Sequence, residues 1–473
     1  MLARLCLVTL VVGLTPLVGN ALENVPMDPE VDLELSLPLS PGEEVTLKEA
    51  LAAADARNLT LEAARAEVEV ADGQLAKAWA LALPVAGAGL TYVRADHADE
   101  VDFGKSLSEG LGPILEQLGI QMPPSDGETT VIRRQDTVTG NLQVALPLIN
   151  VQNWYTISAA RKGRGLASLS LEATRQQLLT GVAQAYYMAL MSRSLVDLHA
   201  GQIKAAAHHL DFARKRLSTG AGLRIDVVRA ETNLAEARQQ LIAARLSLDT
   251  ARDALGVLTG LGGLPMPVPG ADLPDPRGGD EDLVRQAMVA RPDLKLGEAS
   301  VVLARRQWGA AWAGFLPTAD MAWQGNYQFT EPSSLGSADR ARWNLVFNVN
   351  IPIFQYFRIG ELREKKAAIR AASLRSEDLR WNVAREVRQA RRDYETAVAT
   401  ANLSDLQASL AGEAMGLALT AYESGAGSSL EVTEARRTVV AAEVGRVTQR
   451  LRTQIALLIL HRATGANIPE LVR

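Results

Sequence analysis

Residues that could do chemistry are few in this chain. Its 473 residues include five histidines and one cysteine, Cys6. His208 and His209 are adjacent in a helical run, where neighbours point about 100° apart and cannot chelate one ion. Both read as exposed polar residues, and no metal is expected. Gly425-Ala-Gly-Ser-Ser lacks the Gly-Lys-Ser/Thr of a phosphate loop, and no nucleophile–histidine–acid or metal-ligand spacing occurs. No enzyme and no cofactor are expected. What remains is one pair of carboxylates, Glu431 and Glu434, three apart and therefore on one helix face. By themselves they are solvated helix acids.

These acids follow a glycine turn, Gly425-Ala-Gly427, that interrupts a helical run and lets it resume. Glycine takes φ > 0 at a helix end without a Cβ clash, so the turn reads as the tip of a helical hairpin. The same turn occurs as Gly220-Ala-Gly222. Gly220 and Gly425 lie 205 positions apart, as do Pro147 and Pro352, Gln184 and Gln389, and Gly260 and Gly465. So constant an offset means an ungapped internal duplication. Arg161–Ser218 and Lys366–Ser424 contain no proline. Each predicts a helix roughly 87 Å long, too long for a compact domain and suited to a coiled-coil-like array. The shorter helices on either side, about Thr60–Leu83 and Ile225–Thr259, match it when stacked end to end alongside. Hydrophobic content of 47% with only 5% aromatics suits such packed helices. A net charge of −5 points to neither nucleic acid nor an acidic ligand. The charges around Glu361–Glu395 alternate in sign and read as a solvated helix face.

Before each long helix the hydrophobic period changes from 3.6 to 2. Ala86, Ala88, Leu90 and Tyr92 alternate with their neighbours, and so do Met321, Trp323, Gly325, Tyr327 and Phe329, in the register set by Pro84 and Pro317. The return runs Val138–Leu146 and Trp343–Ile351 alternate too. Runs of about ten residues, with aromatics on one side and Asn and Gln on the other, suit tilted strands of a water-filled barrel in lipid. A soluble sheet packed on the helices is the alternative. The connection around Asp96–Arg134, with an amphipathic piece at Leu107–Leu118, is the longer of the two and reads as external. Trp154, Tyr155, Phe354, Tyr356 and Phe357 read as an interfacial belt. Four strands cannot close a barrel, and an open edge in lipid leaves backbone groups unpaired at several kcal/mol each. Closure therefore needs at least two copies for eight strands or three for twelve.

The N-terminal apolar run Leu5–Val18 has signal-peptide length, with cleavage expected after Ala21. Cys6 lies within it and has no small residue before it, so a lipid-modified mature cysteine is not expected. The organisation reads as signal peptide 1–21, extended leader 22–46, first repeat 47–260 with strand hairpin 85–146, Pro/Gly-rich linker 261–280, second repeat 281–465 with strand hairpin 318–351, and tail 466–473.

The helix–strand–strand–helix duplication, Arg291-Pro-Asp-Leu294, and the Tyr422-x-x-Gly425…Glu431-Val-x-x-Glu434-Ala turn together resemble the TolC-type outer-membrane efflux proteins. The resemblance covers about residues 45–465. It implies a mixed α/β membrane protein: a homotrimer with a 12-stranded intermolecular barrel in the outer membrane and a periplasmic tunnel of long helical hairpins. It implies a passive exit duct for tripartite efflux or type I secretion. The partners would be outer-membrane lipid, a periplasmic adaptor and an inner-membrane pump of RND, ABC or MFS type, with no nucleic acid. Glu431 and Glu434 match the family's gate carboxylates, with Glu where Asp is usual. Tyr422 and Asp226 match its gate-locking contact. The family's Arg partner falls at Gly427 and is absent, leaving Arg224 on the opposite hairpin as the candidate substitute. Gly220, Gly222, Gly425 and Gly427 match the tips that meet the adaptor. The alternatives are a soluble periplasmic coiled-coil scaffold and an exported hydrolase on a helical frame; the second would need a catalytic constellation that does not occur.

Overall fold

The computed structural model describes residues 42–102, 129–270, 273–276, 278–330 and 340–471, with a few positions between 105 and 119. They belong to one compact unit, Gly42–Arg473. The expected signal peptide, most of the leader and part of the Leu107–Leu118 piece lie outside the described residues. In chain order the elements are β1 (Glu44–Val45), α1 (Leu47–Arg57), α2 (Leu59–Ala80), β2 (Val85–Arg94), β3 (Asp99–Val101), β4 (Thr130–Arg133), β5 (Asp136–Ile149), α3 (Val151–Ser218) and α4 (Arg224–Thr259). The second half continues with β6 (Met266–Pro267), α5 (Asp280–Ala290), α6 (Pro292–Ala313), β7 (Thr318–Gln328), β8 (Ala341–Asn350), α7 (Tyr356–Glu423), α8 (Ser429–Ala463) and α9 (Ile468–Leu471).

The two long helices, α3 and α7, have 68 residues each, roughly 100 Å at 1.5 Å per residue. Both begin ten residues before the proline-free runs suggested, α3 directly after β5 and α7 a short loop after β8. At α3 the reason is local: Asn150 is the N-cap, and its side chain accepts a hydrogen bond from the Asn153 N–H at 3.1 Å. The 22-residue α2 and the 36-residue α4 both pack along α3. In the second repeat α6 and α8, of 22 and 35 residues, pack along α7. The repeats join where α3 meets α6 and α8. No described helix is long and apolar enough to cross a membrane.

Apart from a short parallel pair of β1 and β6, the four long strands form one antiparallel sheet in the order β2-β5-β7-β8. Its register sorts the side chains. Leu90, Gly140, Tyr327 and Ala341 form one cross-strand row, and Ala88, Leu142, Gly325 and Trp343 form the next on the same face. Between them, on the other face, run Gly89, Asn141, Asn326 and Arg342. One face is thus apolar and aromatic along most of its length, with Arg94 and Asp136 paired in its last row. The other carries Asn, Gln and Thr with Asp320 and Arg342. Apolar side chains on β8 are bare: Trp343, Phe347 and Val349 are 70%, 64% and 67% exposed. The register slips once, between Pro147 and Ile149, where proline has no N–H for the ladder. The short pair β3–β4 extends the first hairpin beyond the sheet.

The core sits at mid-height of the long helices. Leu47 and Leu51 of α1 meet Leu179, Val182 and Tyr186 of α3, together with Leu255 and Leu458 near the ends of α4 and α8. Beside it Leu283, Leu294, Val383, Val387 and Leu460 form a second cluster. Arg291, the N-cap of α6, ties this region together and is only 8% exposed. Its guanidinium donates to Asp293 at 2.7 Å, to Glu386 of α7 at 2.8 Å and to the Ala463 carbonyl of α8 at 3.2 Å. Burial alone would raise the Asp293 carboxyl, but the Arg291 hydrogen bond and charge outweigh it and hold it below the usual range. Pro292 follows at the first helical position, where its missing N–H costs nothing.

Candidate functional site

Both hairpin tips are built the same way. At the first, Gly220 has φ 76° and the Ala221 N–H returns to the Arg216 carbonyl at 3.0 Å. At the second, Gly425 has φ 82° and the Ala426 N–H returns to the Ala421 carbonyl at 2.9 Å. This bond from the residue past the glycine closes each helix end. The second glycine of each turn permits close approach: a Cβ on Gly222 would lie 2.9 Å from the Leu217 nitrogen, and one on Gly427 3.0 Å from the Ala421 Cβ. The four glycines therefore shape the tips directly.

Ser428 then caps α8. Its side chain accepts from the Glu431 N–H at 3.3 Å, and Glu431 Oε2 accepts from the Ser428 N–H at 3.2 Å. One Glu431 oxygen thus has a local structural role. Glu434 is exposed, 3.8 Å from Arg437 on its own helix, and Arg437 reaches Glu236 of α4 at 3.5 Å. Asn233 of α4 donates to the Thr433 hydroxyl at 3.2 Å. The acids therefore stand next to the seam between the two hairpins.

Tyr422 lies in that seam, 3% exposed. Burial raises its pKa, and the Asp226 carboxylate raises it further. Tyr422 and Asp226 are thus electrostatic neighbours, but among the described residues no hydrogen bond joins them. The direct link comes from Arg216 of α3. Its Nη1 donates to the Tyr422 carbonyl at 2.7 Å, and its guanidinium lies 4.8 Å from the centre of the phenol ring. Arg224, the expected substitute for the missing arginine, instead opens α4. The sequence held one signal for Arg216: it is a cation in the last turn of α3, where the helix dipole favours positive charge. That signal does not say what the side chain meets.

His209 corrects the reading of both histidines as exposed. His208 is exposed, whereas His209 is 3% exposed, with its ring centre 5.7 Å from that of Tyr422. Neither of its ring nitrogens has a hydrogen-bond partner among the described residues, nor does Nε of Arg436. Burial, with the Arg436 charge added, pushes the imidazole pKa down to about 4, partly opposed by Asp226. His209 is therefore neutral at ordinary pH, and all four helices of the two hairpins meet around it. Of the expected aromatic belt, Trp154, Phe354, Tyr356 and Phe357 are exposed. Tyr155 is instead turned against α6, where a Cβ on Gly309 would lie 2.5 Å from its ring.

The profile of the outer membrane efflux protein family matches residues 50–261 and 283–466. The chain belongs to that family. It is therefore an outer-membrane protein that extends into the periplasm, which sets aside the soluble scaffold. The cation efflux system protein CusC of Escherichia coli is 25% identical over 61% of this chain and 64% of its own length. The outer membrane protein TolC of Escherichia coli is 25% identical over 48% of each chain. The match thus spans less than two thirds of these curated relatives. A crystal structure of CusC superposes with a TM-score of 0.73 at 20% identity, covering 91% of this chain and 96% of that one. The CmeC outer membrane channel of Campylobacter jejuni superposes with a TM-score of 0.70 at 16% identity, over 89% and 85%. At these identities the likeness shows a shared fold.

Proposed function

We propose that three copies of this chain close a twelve-stranded barrel and continue it as a helical tunnel, forming a passive duct from the periplasm to the exterior. The observation that carries this is the sheet. It has four strands, an apolar face and a polar face, and edges β2 and β8 with no strand partner among the described residues. In lipid those edges must be paired, and β8 of one copy beside β2 of the next pairs both at once. The helices offer a matching seam: Leu403, Leu406, Leu410 and Leu417 leave an exposed apolar stripe on α7, and Ile225, Val228, Ile242 and Leu246 leave another on α4.

The polar face would then line the pore. Its Asn141, Gln143, Gln324, Asn326, Asn344 and Asn348 are uncharged hydrogen-bonding groups, and Asp320 and Arg342 beside them are of opposite sign, so the barrel would conduct without sorting strongly by charge. Sorting would fall to the tips, where Glu431 and Glu434 of three copies would meet and favour cations. Tyr422, Asp226 and Arg216 would hold the tips closed. The glycine turns 220–222 and 425–427 would meet a periplasmic adaptor, which would couple the duct to an inner-membrane pump of RND, ABC or MFS type, for efflux or type I secretion. The test combines native mass measurement in detergent with single-channel recording in a planar bilayer. The expected result is a conducting trimer. A monodisperse monomer that conducts ions would overturn the proposal.

A further inference from the structure

The apolar face of the sheet is not smooth. In two adjacent rows large and small residues alternate out of phase: Leu90, Gly140, Tyr327, Ala341, then Ala88, Leu142, Gly325, Trp343. The small positions of adjacent strands therefore join diagonally. They leave a trough of about 450 Å³ whose lining includes Leu90, Gly140, Leu142, Gly325, Tyr327 and Trp343. Aromatic rings lie down on its glycines: a Cβ on Gly140 would be 3.0 Å from the Phe329 ring, and one on Gly325 2.6 Å from the Trp323 ring. Tyr327 and Phe329 brace each other edge to face at 4.8 Å. The trough continues into a second hollow of about 330 Å³ beside Leu90, Val138, Phe329 and Thr330. Both hollows lie toward the end of the sheet farthest from the helices.

Polar groups stand beyond them on the same face. By the alternation along β2, Tyr92 follows Leu90, and Arg94 follows Tyr92. The Tyr92 hydroxyl donates to Asp136 at 2.6 Å, which engages that carboxylate. Arg94 is held only loosely by Asp136, at 3.9 Å, with its side chain 65% exposed. An arginine on the lipid face of a strand is costly at mid-bilayer and nearly neutral at the interface. Arg94 therefore marks headgroup depth, with a tyrosine just below it, as interfacial aromatics sit.

We propose that this face holds one outer-leaflet glycolipid: a saturated acyl chain in the trough and a headgroup phosphate on Arg94. This rests on the barrel reading, which turns the apolar face to lipid and the Arg94 end outward. The trough's lining is largely apolar and offers little to a water-soluble ligand, whereas an acyl chain lying in it gains van der Waals contact with side chains such as Leu90, Tyr327 and Trp343. A guanidinium at headgroup depth supplies the charge-assisted hydrogen bonds that a phosphate accepts.

The probe is diphosphoryl lipid A, titrated onto the detergent-purified protein and counted by native mass spectrometry. Phosphatidylethanolamine and dephosphorylated lipid A serve as comparisons. Ala88→Phe fills the trough with an apolar side chain, and Val349→Phe makes the same kind of change on the same face outside it. Retention should fall about tenfold in Ala88→Phe, equivalent to losing about ten close atom contacts, and stay unchanged in Val349→Phe. Arg94→Gln should remove the preference for the phosphorylated lipid, leaving residual acyl binding. Equal retention by wild type and Ala88→Phe, or equal retention of phosphatidylethanolamine, would overturn the site as unselective annular lipid. A change of oligomeric state in Ala88→Phe with no lipid bound to wild type would overturn it in favour of a second copy. Single-channel conductance of the same preparations separates failure of this site from failure of the duct itself.

Discussion

Replacing Arg216 with alanine tests how the two hairpins are held together. The structure gives that side chain two attachments to the opposite hairpin, a 2.7 Å hydrogen bond to the Tyr422 carbonyl and a guanidinium 4.8 Å from the ring centre. A hydrogen bond to a charged group contributes about 1.5–3 kcal/mol, and a half-exposed cation–π contact about 0.5–1 kcal/mol. Because Arg216 is half-buried, the low end applies, and the link is worth about 2 kcal/mol per chain. That is about a 30-fold change in one closed–open equilibrium, and it would multiply if three tips open together. The assay is single-channel recording in planar bilayers. Arg216→Ala should raise the open fraction or the conductance. Arg216→Lys should fall between, because an ammonium can reach the carbonyl but cannot stack as a planar fork. Tyr422→Phe should stay close to wild type, since it keeps both the ring and the carbonyl that Arg216 uses. If Tyr422→Phe opens the channel as much as Arg216→Ala, the phenol hydroxyl is the latch. If Arg216→Ala conducts like wild type, the link does not govern opening.

His209 makes the tips sensitive to acid. An unfolded imidazole takes a proton near pH 6.5 and this buried one only near 4, so between those values the unfolded state binds more protons and stability rises with pH. About 3 kcal/mol per chain should be lost on going from above pH 6.5 to below pH 4. Hydrogen exchange at residues 205–230 should show this for wild type and not for His209→Leu; parallel profiles would refute it. The double variant Glu431→Gln, Glu434→Gln should lose cation selectivity and block by divalent cations. Unchanged selectivity and block would leave Glu431 as a helix cap and Glu434 as a solvated acid. Arg291→Leu should lower thermal stability by about 3–5 kcal/mol, because it leaves Asp293 and Glu386 without their buried partner. The exposed Arg285→Leu is the control, and an equal effect from both would discount the buried cluster.

Much of the architecture was legible because it is periodic and occurs twice. Alternation of period 2 about Pro84 and Pro317 placed Leu90, Trp323 and Tyr327 on one side, and the register puts them there. The 205-residue offset marked the two hairpins, and both glycine turns close them. Local chemistry was sufficient for these features, since a strand's alternation or a helix's glycine end depends on residues within a turn or two. The long helices still began ten residues early; at α3 the Asn150 cap acts more locally than hydrophobic period, while the Gln355 N-cap of α7 makes no such side-chain bond.

Other features were decided only by tertiary contact. The pairing of β5 with β7 joins the two repeats, and no hairpin signal in the chain specifies it. Whether His209 or its neighbour is buried depends on the rotational phase of a 68-residue helix against its partners, and a small error per turn accumulates along such a length. Arg216 meets a carbonyl 206 positions away. The sequence determined the faces and the turns. The packing of two long helices decided which cation meets Tyr422, because that contact depends on the relative height and rotation of both.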